Sequence, residues 1–211
     1  MKTIDLSHVI RTGMPVYPGD ETPSLRRTHF IRKHGFAQTG LALSTHVGTH
    51  VDTAAHLFTE APTLDQLGPD NFTGWGAVLD LTSLAAPVIQ QPDLAPLADI
   101  DNLDFALLRT GWDQHWQTDR YYRDFPTLSE TAARFLAGLG LKGVGLDTPS
   151  PDPVDSASLP THQTLLNHGL VIVENLTRLG GLPAESFVFC CLPLRLLDGE
   201  ASPCRAVGIT F

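Results

Sequence analysis

Residues 44–56 constrain this chain more than any other stretch, because they concentrate titratable side chains within thirteen positions. The stretch reads S-T-H-V-G-T-H-V-D-T-A-A-H and includes His46, His50, Asp52 and His56. All four residues occupy even positions, so an extended backbone would place their side chains on one face. Any fold of the chain therefore has to accommodate a row of three imidazoles and one carboxylate.

A bend at Gly48 is the simplest way to bring these side chains together. A fully extended backbone would leave His46 and His50 about 13 Å apart, at roughly 3.3 Å per residue. Gly48 lies midway between them and tolerates backbone angles that other residues avoid. A helix would also place the two histidines one turn apart, but the valines, threonines and glycine of this stretch are poor helix formers. The sequence therefore predicts a bent, extended segment, with Asp52 just beyond the bend.

The chemistry of these side chains points to a metal ion. Imidazole nitrogens and carboxylate oxygens are ligands for Zn²⁺ and, in sites rich in oxygen, for Mn²⁺. The alternative is a histidine-rich strand end whose rings are hydrogen-bonded in the core or exposed. Four candidate ligands within eleven residues favour the metal site. We therefore predict a divalent cation, with Zn²⁺ ahead of Mn²⁺.

The composition is that of an ordinary globular protein. A chain of 211 residues suits one domain, predicted here to be residues 1–211. Its hydrophobic content of 42% and charged content of 18% are unremarkable for a soluble fold. The net charge of −9 argues against nucleic acid or an anionic membrane as a partner. A small molecule is the expected partner instead.

The remaining sequence features indicate a cytoplasmic protein. Three cysteines, of which Cys190 and Cys191 are adjacent, do not form a disulfide framework and indicate small core residues in a reducing compartment. No apolar run approaches the roughly 18 residues of a membrane span. The N-terminal M-K-T-I-D-L-S-H lacks the apolar core of a signal peptide.

The hydrophobic pattern predicts an α/β protein, a single domain with a mixed β-sheet flanked by helices. Residues 104–110 form a nearly continuous apolar run, as expected of a central buried strand. Other predicted strands cover residues 2–6, 24–31, 39–46, 75–81, 141–146, 170–173, 187–192 and 206–210, and predicted helices cover residues 92–98, 129–139 and 161–168. Motifs for nucleotide binding (G-x-G-x-x-G, G-x-x-x-x-G-K-[ST]) and for serine hydrolases (G-x-S-x-G) are absent.

Three further residues are candidates for the site. Glu174 follows the apolar V-I-V, where a carboxylate is costly unless something pairs with it, and a metal is such a partner. Taken alone, Glu174 is better explained as a solvent-facing residue at a strand end, and His162 as an ordinary residue at a helix start. Tyr17 lies in the loop P-V-Y-P-G-D, where it either packs under the loop or forms a wall for a flat substrate. Neither role of Tyr17 is favoured.

The motif H-x-G-T-H-x-D-x-x-x-H, followed by D-T-P-S-P-D-P, His162 and Glu174, resembles the cyclase-like metal-dependent hydrolases. This superfamily includes the bacterial kynurenine formamidases (arylformamidases) and the isatin hydrolases. The resemblance runs over most of the chain and includes P-V-Y-P-G-D, L-L-R-T-G-W and L-P-L-R…S-P-C-R-A-V. It implies an α/β fold with a mixed sheet, usually in a homodimer.

The resemblance also implies how the candidate ligands are arranged, with one or two divalent ions per subunit. His46, His50 and Asp52 would bind one ion. Asp52 would bridge to a second ion, held by His162 and Glu174. Asp52 would then be the residue on which both metal positions depend.

The activity implied by the resemblance is hydrolysis of a small amide through a metal-bound hydroxide. A metal lowers the pKa of a bound water to about 7 in the best-known zinc case. His56 would transfer protons, and the expected reaction converts N-formyl-L-kynurenine to L-kynurenine and formate, a step of tryptophan catabolism. The chain departs from the family pattern at Ala54, commonly proline, and at Tyr17, commonly tryptophan in the formamidases. The alternatives are hydrolysis of a cyclic amide or lactone such as isatin, and a non-catalytic metal-binding protein.

Overall fold

The computed structural model describes all residues of the chain, 1–211, and its centre is a mixed β-sheet of nine strands. Thirteen strands are present in all: β1 (Lys2–Asp5), β2 (Ser24–His29), β3 (Gln38–Ala42), β4 (His50–Asp52), β5 (Thr73–Asp80), β6 (Val88–Ile89), β7 (Phe105–Arg109), β8 (Thr127–Leu128), β9 (Gly143–Leu146), β10 (Val171–Glu174), β11 (Phe187–Cys190), β12 (Ala201–Pro203) and β13 (Val207–Thr210). The α-helices are α1 (Ile31–His34), α2 (Glu130–Ala137) and α3 (Pro160–Asn167), and short 3₁₀ helices cover Ala54–His56, Pro69–Phe72, Gln91–Asp99, Trp112–His115 and Leu179–Gly181.

The strand order in the large sheet is β1-β13-β11-β5-β7-β9-β10-β4-β12. The four central strands β5, β7, β9 and β10 run parallel, and the strands on either side pair antiparallel. Two small sheets, β2-β3 and β6-β8, lie outside it. The prediction of a single α/β domain with a mixed sheet is therefore confirmed.

The sheet is covered on both faces, which explains why its central strands are apolar throughout. Ala106 and Leu108 of β7 point into a core shared with α2 and α3. Phe105 and Leu107, which alternate with them, point into a second core on the opposite face. The prediction that this segment is a central buried strand is confirmed.

Helix α2 begins at the predicted N-cap but ends before the predicted glycine. The Ser129 hydroxyl accepts a hydrogen bond from the Ala132 backbone N–H, as predicted for the N-cap. The helix ends earlier than predicted, because Gly138 rather than Gly140 forms its C-cap. Ala132, Ala133 and Leu136 are buried against the sheet.

Two predicted strand ends are wrong, and both errors concern turns. The strand predicted over residues 39–46 ends at Ala42, because the chain turns before it reaches the histidines. The strand predicted over residues 24–31 ends at His29, and Ile31 instead begins the one-turn helix α1. None of the helices is long and apolar enough to cross a membrane.

Candidate metal centre

The turn predicted at Gly48 is present. Gly48 has a φ of +65°, and an added Cβ would lie 3.1 Å from the Met14 side chain, so only glycine fits without strain. The turn brings the ring centroids of His46 and His50 to 5.1 Å. Strand β4 begins at His50, so His50 and Asp52 lie on one face of it. The prediction of a bent segment is confirmed.

Neighbouring elements bring the remaining candidates to the same place. Strand β10 pairs with β4 in a register that sets Glu174 opposite His50. His162 lies in the first turn of α3, whose free N–H groups at Thr161 and His162 donate to the Asp152 carboxylate at 3.0 and 2.9 Å. Asp152 thus fixes the start of α3, and with it the position of His162.

The side chains form two donor sets that share Asp52. In the first set, Asp52 Oδ1 lies 2.9 Å from His46 Nδ1 and 3.4 Å from His50 Nε2. In the second, His162 Nε2 lies 3.9 Å from Asp52 Oδ2 and 3.3 Å from Glu174 Oε1. The ligand atoms within each set all lie within 4.8 Å of one another. The structure therefore brings together all five residues that the resemblance assigned to metal binding.

Three buried polar atoms in this cluster make no well-aligned hydrogen bond, although ring nitrogens of His46 and His162 lie 2.9 and 3.3 Å from two of them: His50 Nε2, Asp52 Oδ1 and Glu174 Oε1. Buried polar groups without a partner are rare because leaving them unpaired is costly. A cation between them would satisfy all three at once. Carboxylate oxygens and imidazole nitrogens are also the right donor types, so the residues present fit a divalent metal.

Two of the histidine rings are oriented by their Nδ1 atoms. His50 Nδ1 lies 2.8 Å from the Gly48 carbonyl oxygen, and His162 Nδ1 lies 2.7 Å from Asp152 Oδ2. Both partners can only accept, so both Nδ1 atoms carry a proton. The Nε2 atoms are then the ones that face the carboxylates and can bind a metal.

Electrostatics favour positive charge at the centre. Burial alone would raise the pKa of Asp52, but the charges of His46 and His50 hold it well below its usual range. Burial lowers the pKa of His50, but the Asp52 and Glu174 carboxylates outweigh it and raise it to about 9. Burial likewise opposes protonation of His162, but its hydrogen bond to Asp152 and the nearby Glu174 carboxylate outweigh burial and raise its pKa to about 10. The protons held by these rings are ones that a metal ion can replace.

Glu200 completes the surroundings of His46. Its Oε1 accepts a hydrogen bond from the Thr45 hydroxyl at 2.6 Å and lies 3.6 Å from His46 Nε2. His46 therefore lies between Asp52 at one ring nitrogen and Glu200 at the other. Sequence reasoning missed both Glu200 and Asp152. The quoted D-T-P-S-P-D-P loop contained Asp152, whereas nothing in the spacing pointed to Glu200.

His56 lies beside the donor sets without belonging to either. It ends the 3₁₀ helix Ala54–His56, and its ring centroid is 4.4 Å from that of His46 and 6.0 Å from that of His162. Burial lowers the pKa of His56, and the Asp52 charge offsets only part of that shift. A half-buried, neutral imidazole next to the cluster can accept and return a proton.

A cavity of about 310 Å³ opens above the cluster. Tyr17 and Tyr122 form part of its wall, with their rings edge to face at 5.8 Å. Tyr17 therefore lines the cavity, as the second of the two roles considered for it requires. No lysine or arginine is among the lining residues, which are Tyr17, Asp20, His46, His50, Asp52, His56, Tyr122, Pro149, Ser150, Val154, Ser156, Leu159, His162, Glu174 and Asn175.

The other histidines singled out in the sequence lie elsewhere. His29 and His34 contact each other and Phe36 next to the β2-β3 hairpin. His115 packs edge-on against Trp112 at 4.5 Å. None of the three is part of a donor set.

Fold and site together define an α/β protein with a buried centre of imidazole and carboxylate donors below a small-molecule cavity. Residues 4–153 match the Cyclase family, described as "Putative cyclase". The chain belongs to this family, as the sequence motifs predicted.

Relatives that align over nearly the whole chain carry the names of hydrolytic enzymes. A kynurenine formamidase of Salinibacter ruber is 32% identical over 98% of this chain and 97% of its own length. A kynurenine formamidase of Erythrobacter litoralis is 30% identical over 96% of this chain and 91% of its own length. The prediction of a hydrolytic enzyme of the cyclase-like family is confirmed.

Solved structures agree on the fold. Isatin hydrolase A from Labrenzia aggregata superposes with a TM-score of 0.88 at 22% identity, covering 99% of this chain and 93% of the other. A protein described as a potential metal-dependent hydrolase with cyclase activity superposes with a TM-score of 0.81 at 29% identity, covering 100% of this chain and 98% of the other.

Proposed function

We propose that this protein is a metal-dependent amidohydrolase of the arylformamidase type, which converts N-formyl-L-kynurenine and water to L-kynurenine and formate. The observation that carries the proposal is the convergence of unpaired, buried donor atoms at the floor of a cavity, with His56 beside them. The names of the relatives supply the substrate.

We assign two metal positions to the donor sets. His46, His50 and Asp52 would hold one ion, and Asp52, His162 and Glu174 would hold a second. Zn²⁺ or Mn²⁺ suits this mixture of nitrogen and oxygen donors. A divalent ion bound there supplies Lewis acidity, which lowers the pKa of a coordinated water and polarises a carbonyl.

The protein's own residues then bind the substrate and move the proton. Tyr17 and Tyr122 orient the aromatic ring of the substrate by packing against it, since their rings form one wall of the cavity. His56 accepts the proton that the attacking water loses and returns it to the leaving nitrogen, while the bond between the formyl carbon and that nitrogen breaks. One water is consumed for each amine and formate released.

The test is metal-dependent turnover. Protein stripped by a chelator and reloaded with Zn²⁺ or Mn²⁺ should release kynurenine from N-formyl-L-kynurenine, and the stripped protein should not. Elemental analysis of protein purified without added metal gives the identity and number of ions. A metal-loaded protein that hydrolyses no amide or ester would instead indicate a non-catalytic metal-binding protein.

One observation favours a second substrate, a neutral cyclic amide such as isatin. N-formyl-L-kynurenine carries an α-carboxylate, and the cavity wall offers no lysine or arginine to pair with it. Asp20, which lies among the lining residues, can pair with the α-ammonium group of that substrate but not with its carboxylate. A comparison of kcat/KM for N-formyl-L-kynurenine and isatin separates the two, because the preferred substrate has the larger value.

A homodimer is proposed along with the activity. The β2-β3 hairpin and the adjoining α1 expose four large apolar side chains, Phe30, Ile31, Phe36 and Leu41. Apolar side chains clustered on a surface mark association sites. Light scattering coupled to size-exclusion chromatography should give a mass of two chains, and a mass of one chain would rule this part of the proposal out.

A further inference from the structure

Behind the metal centre, a buried hydrogen-bond chain runs from Tyr121 through Asn175 to the carbonyl of Gly48. We propose that Tyr121 and Asn175 are positioning residues that fix this carbonyl, and with it the ring of His50. The aromatic segment 112–125 then sets how tightly the centre holds its metal. The inference rests on the metal centre proposed above, but not on the identity of the substrate.

Asn175 is tied to its surroundings through every polar group it has. Its backbone N–H donates to the Thr148 carbonyl at 3.0 Å, and its own carbonyl accepts from the Thr49 hydroxyl at 2.6 Å. Its side-chain Nδ2 donates to the Gly48 carbonyl at 2.9 Å, and its Oδ1 accepts from the Tyr121 hydroxyl at 2.7 Å. The residue also has a φ of +56°, a conformation that asparagine adopts more readily than most side chains.

The orientation of the amide follows from its partners. The Gly48 carbonyl can only accept, so Nδ2 must face it and Oδ1 must face Tyr121. Tyr121 is then the donor in its own hydrogen bond. The Gly48 carbonyl also accepts from His50 Nδ1 at 2.8 Å, so both of its lone pairs are used.

Tyr121 is a rigid starting point for this chain because it is wholly buried. Its ring contacts Trp116 edge to face at 4.8 Å, and its backbone carbonyl accepts from the Trp112 indole N–H at 2.8 Å. The hydroxyl reaches Asn175, which directly follows the ligand Glu174. The aromatic segment is therefore hydrogen-bonded to the residue that follows the ligand Glu174. Through Asn175 and the Gly48 carbonyl it is also connected to the ligand His50.

Loss of the tyrosine hydroxyl should loosen the centre without removing a ligand. The Asn175 amide would lose the partner that fixes its orientation, and the Gly48 carbonyl would lose a firmly held donor. Metal binding itself would then have to fix the orientation of the His50 ring. Removing residues that orient metal ligands typically lowers metal affinity by roughly 10-fold to 100-fold.

The experiment compares Tyr121→Phe with Tyr122→Phe. The Tyr122 ring is 5.2 Å from that of Tyr121 and lines the cavity, but it makes no hydrogen bond to Asn175. Metal affinity is measured by competition with a chromophoric chelator, and near-ultraviolet circular dichroism checks the fold. We expect Tyr121→Phe to weaken Zn²⁺ affinity roughly 10-fold to 100-fold and Tyr122→Phe to leave it unchanged. Saturating Zn²⁺ should restore kcat of Tyr121→Phe, with KM close to that of the parent protein.

Wild-type affinity in Tyr121→Phe, or an equal loss in both variants, overturns the inference. If Tyr121→Phe does not fold, Asn175→Asp replaces the donor at Nδ2 by an acceptor at nearly constant shape, and unchanged affinity there overturns the inference as well. A parent protein that binds metal but hydrolyses no substrate would defeat the proposed function and leave this inference standing. A parent protein that binds no metal defeats both.

Discussion

Four histidine rings lie within a few ångströms of one another, and their partners decide what each can do. His50 and His162 use Nδ1 for a hydrogen bond and leave Nε2 facing carboxylates. His46 lies between two carboxylates. The His56 ring lies next to those of His46 and His162 and forms no ion pair with a carboxylate. The same residue type can therefore bind metal at three positions and move protons at the fourth.

Replacing His56 separates these two roles. His56→Ala should keep the metal, because His56 belongs to neither donor set. It should lose most turnover, roughly the 100-fold to 10,000-fold typical of general acid–base catalysis. Elemental analysis and kcat are measured on the same preparation. Loss of metal in this variant would make His56 a ligand instead.

In the proposed assignment, both metal positions depend on Asp52. Asp52→Ala removes the only carboxylate common to the two sets and leaves His46 and His50 without it. We expect loss of both ions by elemental analysis. Asp20→Asn, which removes an exposed carboxylate from the same cavity, is the matched control and should retain them. Full metal content in Asp52→Ala would contradict the bridging role.

At the scale of single elements, the turn before β4 is the feature most sensitive to substitution. Gly48→Ala forces a side chain into a left-handed conformation and against Met14. We expect a loss of about 1–2 kcal/mol in the free energy of unfolding, the usual cost of that conformation for a residue with a Cβ. Metal affinity should fall in the same variant, since His46 and His50 flank the turn.

Gly40→Ala is the control for this prediction. Gly40 lies in β3, and an added Cβ would meet Thr28 at 3.6 Å, an ordinary contact. Surface substitutions of this kind usually change stability by no more than about 0.5 kcal/mol. Denaturant unfolding of both variants gives the comparison, and equal losses would show that the conformation at Gly48 is unimportant.

Elements with a strong local signal could be predicted from the sequence, and those without one could not. Strand β7 follows from an unbroken apolar run, and the turn follows from a glycine between two histidines. Strand β12 is three residues of A-S-P, too short for any pattern, and it brings Glu200 to the site. The contact of Tyr121 with Asn175 joins residues 54 positions apart, which no local periodicity reports. His162 and Glu174 were found by resemblance, because each alone has an ordinary explanation.

At the scale of the whole molecule, metal binding should contribute to stability. The donors come from the turn before β4, from β4 itself, from α3 and from β10, so ions bound there connect elements that are distant in sequence. A ligand at 100 times its Kd adds about 2.7 kcal/mol to the free energy of unfolding. For a chain of this size that corresponds to a rise in Tm of roughly 5–10 °C.

Thermal unfolding with and without a chelator measures this effect. The parent protein should show the rise on reloading with Zn²⁺, and Asp52→Ala should not. An identical rise in both proteins would mean that the ion binds elsewhere.

The donors are spread very unevenly along the chain. His46, His50 and Asp52 lie within seven residues, whereas His162 follows about 110 residues after Asp52. Closing a loop of that length costs on the order of 4 kcal/mol of chain entropy. Binding of an ion by His46, His50 and Asp52 closes no such loop and therefore does not carry this cost. Once Asp52 has been synthesised, the nascent chain already carries one complete donor set. We therefore expect the two positions to fill in order during synthesis, the local one before the sheet has formed and the other only after it.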